Sequence, residues 1–106
     1  MEELKPDLRD LAEIDRLVHE PARLMILMAL YSVKAADFTF LLNVTELTDG
    51  NLSSHLSKLE AAGYVKIEKG YDGKKPRTRL SLTESGRQAV DAYRATMSKA
   101  LKNLEG

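Results

Sequence analysis

Apolar positions along the chain change their period twice, and the changes divide it into helices, a hairpin and a closing helix. Leu4, Leu8, Leu11, Ile14 and Val18 recur at spacings of three and four, which predicts an amphipathic first helix. His19-Glu20 followed by Pro21 marks a boundary, because proline disfavours helix at the residue before it yet suits the first turn of a new one. The second helix therefore starts there. From Leu24 to Tyr31 it reads LMILMALY, apolar all round, so it must be covered on more than one side, by the core and by another helix or a second subunit. After Ala35-Ala36-Asp37, Thr39 is placed to cap a short helix whose Leu41 and Val44 face inward.

The next helix is predicted over roughly 49–62. Thr48 is its N-cap and Asp49 sets negative charge at the positive helix end. Leu52, Leu56 and Leu59 form the buried stripe with Ala62 behind them, and Gly63 stands just past the end. On the opposite side lie Gly50, Ser54, Ser57 and Ala61, flanked by Asn51, Ser53 and Lys58, a face that is small, polar and lightly charged. From Tyr64 the period drops to two: Tyr64 to Lys69 alternates as a strand, Gly70 to Pro76 carries turn residues, and Arg77 to Leu82 alternates again. Thr83 then caps a last helix to about residue 104, with Glu84 in its first turn and a stripe of Val90, Tyr93, Met97, Leu101 and Leu104. That stripe suits packing on the domain or pairing with another helix.

At 106 residues and 43% hydrophobic content, the chain fits one domain over 1–106. Without Cys it has no disulfide, thiolate metal site or thiol nucleophile, and its charged start and short apolar runs offer neither an export signal nor a membrane span. An intracellular, cytoplasmic protein is the expectation. Sixteen basic residues balance sixteen acidic ones, which argues against bulk attraction to nucleic acid. The balance is uneven along the chain. Residues 1–36 hold seven acids and five bases, and residues 37–62 four acids and one base. Residues 63–79 hold Lys66, Lys69, Lys74, Lys75, Arg77 and Arg79 against Glu68 and Asp72. The hairpin is therefore basic and the helices before it acidic.

A short helix, a tight turn, a helix with a small polar outer face and then a basic hairpin is the arrangement of a winged helix-turn-helix, mainly α with a β-hairpin wing (α+β). The helix-turn-helix spans about 39–62, the wing about 64–82 and the C-terminal helix about 83–104. Small residues let such a helix approach the major groove closely, where Asn and Ser bond base edges, and the cations of the wing neutralise phosphates or enter the minor groove. The DNA-contact candidates are Thr48, Asp49, Gly50, Asn51, Ser53, Ser54, Ser57 and Lys58 on the helix and Lys74, Lys75, Arg77 and Arg79 on the wing.

HEPARLMIL, DFTFL, LTDGNLSSHLSKLEAAGYV and KKPRTRLSLTESG, covering most of residues 19–86, resemble the winged-helix transcriptional regulators related to the MarR and ArsR families, in particular a group of small prokaryotic regulators. The resemblance implies a homodimer on pseudo-palindromic double-stranded DNA, with the first and last helices building the interface. Leu8, Leu11, Tyr93, Met97, Leu101 and Leu104 are the interface candidates. Relatives usually carry a glycine in the turn between the two motif helices, where Glu46 stands here, which implies an irregular turn; Phe40 and Leu42 replace commonly polar positions and are expected to be partly exposed or to touch a partner.

His55 lies off the leucine stripe and is read as a residue at the core edge, and Ser54-His55 is no catalytic pair because helical neighbours point about 100° apart. With no nucleotide-binding glycine loop, HExxH or metal-ligand cluster, an enzyme is not expected, and neither is a cofactor. A small-molecule effector between dimer helices is compatible with the pattern but has no residue signal of its own. The competing class is a winged-helix protein-interaction module without DNA binding, motivated by the acidic residues 37–62, Phe40, Leu42 and the zero net charge.

Overall fold

The computed structural model describes residues 8–104. A 3-10 turn at Arg9–Glu13 leads to helix α1 (Pro21–Tyr31), α2 (Phe38–Thr45), α3 (Asp49–Ala61), strands β1 (Val65–Asp72) and β2 (Lys75–Leu82), and the long α4 (Glu84–Asn103). The leucine stripe of α3 forms the floor of the core: Leu52, Leu56 and Leu59 pack with Val18, Ile26, Leu27, Leu30, Leu41, Val65, Leu80 and Val90. The helix starts follow the local chemistry. Thr48 Oγ1 accepts from the Asn51 amide at 3.1 Å and Thr83 Oγ1 from the Gly86 amide at 2.9 Å, so both predicted threonine caps form. Gly63, at φ +81°, takes the left-handed position that ends α3.

The helix expected over Leu4 to Val18 is different. Leu4 lies outside the described residues, and from Leu8 onward there is only the 3-10 turn, with Ile14 extended behind it. The cause is Asp15. Its Oδ1 accepts from the Leu17 and Val18 amides at 2.9 and 3.4 Å, and its Oδ2 accepts from the Tyr64 hydroxyl. A carboxylate that captures its own downstream amides competes with the helix ladder. That hydrogen bond and the aspartate's charge push the Tyr64 hydroxyl up to about 12. Val18 still reaches the core, fully buried.

α2 starts one residue before the expected cap. Asp37, not Thr39, accepts from the Phe40 amide, at 2.8 Å, since a carboxylate two residues upstream reaches an orphan donor that Thr39, inside the helix, cannot. This setting turns Thr45 inward, with its hydroxyl donating to Leu41 O at 2.6 Å, and leaves Val44 outward, contrary to the spacing argument. Ala62 is likewise exposed, because it is the C-cap and the chain has left the helical wheel there. α1 buries Ala22, Ile26, Leu27 and Leu30 but exposes Met25 and Met28, so one side of its all-apolar run faces out.

The turn between α2 and α3 is closed by Glu46 in the left-handed region, φ 58° and ψ 24°, its amide donating to Leu42 O. A residue with a Cβ is strained there, whereas glycine is not. Glu46→Gly is therefore expected to raise stability by about 0.5–1 kcal/mol, after the larger unfolded-state entropy of glycine is set against the strain relieved, seen as a higher urea midpoint.

The two strands run further than expected. They pair antiparallel from Val65↔Leu82 to Asp72↔Lys75, so only Gly73 and Lys74 remain in the turn, with Gly73 at φ +66°. Gly70 and Pro76 sit in strands instead of a loop, which a two-stranded ribbon tolerates because each strand is an edge. At its root the hairpin is bridged by the connection between α1 and α2: Ala36 and Leu80 exchange both backbone hydrogen bonds, at 2.8 and 2.7 Å.

Candidate nucleic-acid interface

All the α3 candidates, Asp49, Gly50, Asn51, Ser53, Ser54, Ser57 and Lys58, are exposed on the side away from the buried leucines, and Thr48 is exposed at its start. The hydroxyl of Thr48 is already engaged as the cap, so any ligand it meets shares that oxygen. His55 stands half-buried at the edge of this face, as expected, where Arg23 Nη1 of α1 lies 3.2 Å from its Nδ1. A guanidinium only donates, so Nδ1 accepts. Arg23 Nε also donates to Leu17 O at 2.6 Å, and its amide donates to Glu20 at 2.7 Å, which holds the Glu20 carboxyl below its ordinary value. α3 is thus braced against the start of α1.

The wing candidates Lys74, Lys75, Arg77 and Arg79 are exposed as well. The register sorts them by side. Cross-strand partners share a face, and faces alternate along a strand. The pairs Lys66↔Ser81, Glu68↔Arg79, Gly70↔Arg77 and Asp72↔Lys75 therefore lie on one side, and Val65↔Leu82, Ile67↔Leu80, Lys69↔Thr78 and Tyr71↔Pro76 on the other. Lys66, which the sequence places in the basic stretch but not among the contacts, joins Lys75, Arg77 and Arg79 on the cationic side. Lys69 is on the opposite one. Alternation from Val65 would have separated them.

Two acids interrupt the cationic side. Arg77 Nη1 bonds Asp72 Oδ2 at 3.0 Å, and Lys66 Nζ is 3.6 Å from Glu68 Oε2. Both pairs are well exposed, and such pairs contribute little, so an incoming phosphate can replace the carboxylate. The root of the wing is fixed to the end of α3: Thr83 Oγ1 donates to Gly63 O at 2.6 Å and the Thr83 amide donates to Tyr64 O at 3.0 Å. Gly86, which the sequence reading passed over, sits under that joint. A Cβ on it would lie 2.1 Å from Tyr64 O.

A second surface lies between α1 and α4. Leu24, Met28, Tyr31, Val90, Tyr93, Met97 and Leu101 line an open apolar groove of about 300 Å³. Met28 and Leu101 are each 57% exposed, Leu104 68% and Leu8 46%, while Leu11, Tyr93 and Met97 are half-buried. One end is pinned by polar contacts. The Tyr31 hydroxyl donates to Asp91 Oδ1 at 2.6 Å, Arg94 Nη2 bonds both of them, and the Arg87 guanidinium lies 4.5 Å from the Tyr31 ring centre. The Tyr31 hydroxyl and Arg94 hold the Asp91 carboxyl below its ordinary value. His19 Nδ1 lies 2.9 Å from the Tyr93 hydroxyl. Among the described residues no three acidic or histidine side chains are placed to hold a metal, and no helix is long and apolar enough to cross a membrane.

Three-helix packing with a two-stranded wing hydrogen-bonded at its root to the α1–α2 connection defines a winged helix protein. Residues 22–101 match the winged helix DNA-binding domain family, and the chain belongs to it. An uncharacterised protein of Methanocaldococcus jannaschii is 33% identical over 90 residues, 85% of this chain and 98% of that one. The solved structure of a transcriptional regulator homologue from Pyrococcus horikoshii OT3 is similar at TM-score 0.85 and 30% identity, over 92% of this chain and 99% of that one. A regulator of the MarR family from Enterococcus faecalis V583 shares the fold at TM-score 0.78 and 17% identity, over 99% and 96% of the two chains. The family is one of regulators rather than enzymes.

Proposed function

We propose that the protein is a homodimeric transcriptional regulator that binds double-stranded DNA sequence-specifically, at a pseudo-palindromic operator. The observation that carries the reading is the small polar side of α3 standing at the root of a hairpin with Lys66, Lys75, Arg77 and Arg79 on one face. Each protomer would set residues 49–58 in the major groove and residues 72–79 along the backbone or in the minor groove. Two protomers then read half-sites about one helical turn, ~34 Å, apart. The test is binding to genomic fragments across a salt series. Four to six phosphate contacts per protomer predict a steep linear fall of log affinity with log salt, by roughly 0.9 per contact, and a flat response overturns the reading.

The exposed apolar groove of α1 and α4 supports the dimer, because a groove whose Met28 and Leu101 are each more than half exposed is poorly suited to water. Leu101→Glu is expected to give monomers by sedimentation and to weaken operator binding by at least about a hundredfold, since two linked half-sites bind far better than one. A small-molecule effector would act from the same groove. The interaction-module reading draws on Phe40 and Val44, exposed one turn apart on α2. A stable protein partner together with no duplex shift at about 50 mM salt would favour it.

A further inference from the structure

We infer that Tyr71, backed by Pro76, is an apolar DNA contact at the wing tip, its ring packing on the deoxyribose walls of the minor groove while the cations of the other face hold phosphates. The inference rests on the DNA-binding reading above. Tyr71 is 77% exposed, the largest exposure among the large hydrophobic side chains described, and it lies outside the core cluster. It therefore contributes little to the fold. Its position is defined by pairing: Tyr71↔Pro76 is the last pair before Asp72↔Lys75 and the two-residue turn Gly73-Lys74. Proline fixes its own backbone angle and, as the cross-strand partner, shares the tyrosine's face of the ribbon, so the tip presents two apolar rings on a paired backbone instead of a loop.

The surroundings select the partner. Lys74 is in the turn, and Lys75 and Arg77 are on the reverse, with Asp72 the one acid at the tip; Lys69, on the tyrosine's side, stands a pair further back toward the root. Such a tip suits an anionic partner that also offers apolar surface. A duplex supplies both, since its minor groove is walled by sugars and edged by phosphates, and a two-residue turn is narrow enough to enter. An aromatic ring brings about 150–250 Å² of burial to such a contact, with the hydroxyl left at the wet rim. Because the ring carries no charge, its contribution should not depend on salt.

The experiment uses the full chain and an operator duplex selected by the wild type. Tyr71→Ala is expected to weaken binding roughly five- to twentyfold with an unchanged salt slope, the magnitude expected for losing an aromatic packing contact. Tyr71→Phe should bind within about twofold of wild type. The chain has no Trp, so Tyr71→Trp introduces a single tryptophan at the tip, which can be excited selectively and whose emission should shift and quench as operator is added. Equal urea midpoints for all three variants separate contact from folding. Wild-type affinity in Tyr71→Ala, or tryptophan emission unmoved by saturating operator, overturns this contact while leaving the DNA-binding reading intact. No duplex binding by the wild type overturns both.

Discussion

Replacing Lys75 and Arg77 together by alanine is expected to lower operator affinity roughly 10–100-fold near physiological salt and to make the salt dependence shallower by about two units per protomer. Both residues lie on the cationic side of the wing, and in the proposed complex each would make one phosphate contact. The loss should be similar for operator and unrelated sequences, because phosphate contacts position a protein without reading bases. Stability should stay within about 0.5 kcal/mol, since the one bond sacrificed is the exposed Arg77–Asp72 pair. Lys69→Ala supplies the contrast. It removes the same charge from the opposite side of the ribbon and should alter affinity and slope much less. Equal effects from Lys69→Ala and Lys75→Ala would mean that general charge, rather than the pleat, sets the wing's action. The comparison needs only a gel or anisotropy titration at four or five salt concentrations.

Gly86→Ala has the other large expected effect, and its sign is decided by two opposed quantities. Within a helix, alanine is preferred to glycine by about 1 kcal/mol, so on propensity alone the substitution stabilises α4. The added Cβ, however, would stand 2.1 Å from Tyr64 O and 2.9 Å from Tyr64 C, and both are main-chain atoms. No rotamer change relieves that. Either α4 moves away from the hairpin or the Thr83 amide loses its acceptor on Tyr64. The expected net is destabilisation of about 3 kcal/mol, with the melting temperature lowered by roughly 10–20 °C. An unchanged or raised melting temperature would show that the joint yields easily. Because Thr83 also holds Gly63 at the end of α3, the folded fraction should bind operator less well too, as the wing and α3 lose their common anchor.

These two cases also separate what was legible in the sequence from what was not. Thr48 and Thr83 could be read as caps because an N-cap bonds an amide three residues away, which keeps cause and effect in one short window. The α3 leucines were legible for a similar reason, since one helix face repeats within the helix itself. Asp15 was not. Its carboxylate stops the N-terminal helix through local amides, but it is held there by the hydroxyl of Tyr64, far along the chain. The apolar spacing that predicts the helix is real, and Val18 is buried as that spacing requires, yet periodicity does not report which backbone carries it. Val44 failed because the buried face of α2 runs from Leu41 to Thr45, four residues on, and not to Val44, three residues on; both spacings fit one helix face, and only the packing chooses between them.

The candidate site divides in the same way. Exposure of Asn51, Ser54 and Ser57 follows from the wheel. The assignment of the wing cations to two faces follows from alternation, but only once the turn is known to be Gly73-Lys74 instead of the longer segment that Gly70 and Pro76 suggest. Gly86 gives no signal in one sequence, because its role is to let a distant carbonyl approach. The pairing of Ala36 with Leu80 is hidden for the same reason: it joins segments far apart in the sequence.

That pairing gives the wing the mechanics of a cantilever. Leu80 is held on both sides, by Ile67 and by Ala36, whereas beyond Thr78 the ribbon has only itself. A beam clamped at one end keeps its root still and deflects increasingly toward its tip. In the proposed complex the outer residues would swing to match grooves of different width while α3, bolted to the clamped end through Gly63 and Thr83, keeps its own placement. On that proposal, adjustment to the shape of the duplex and registration on its bases would be separate degrees of freedom, joined at a single support.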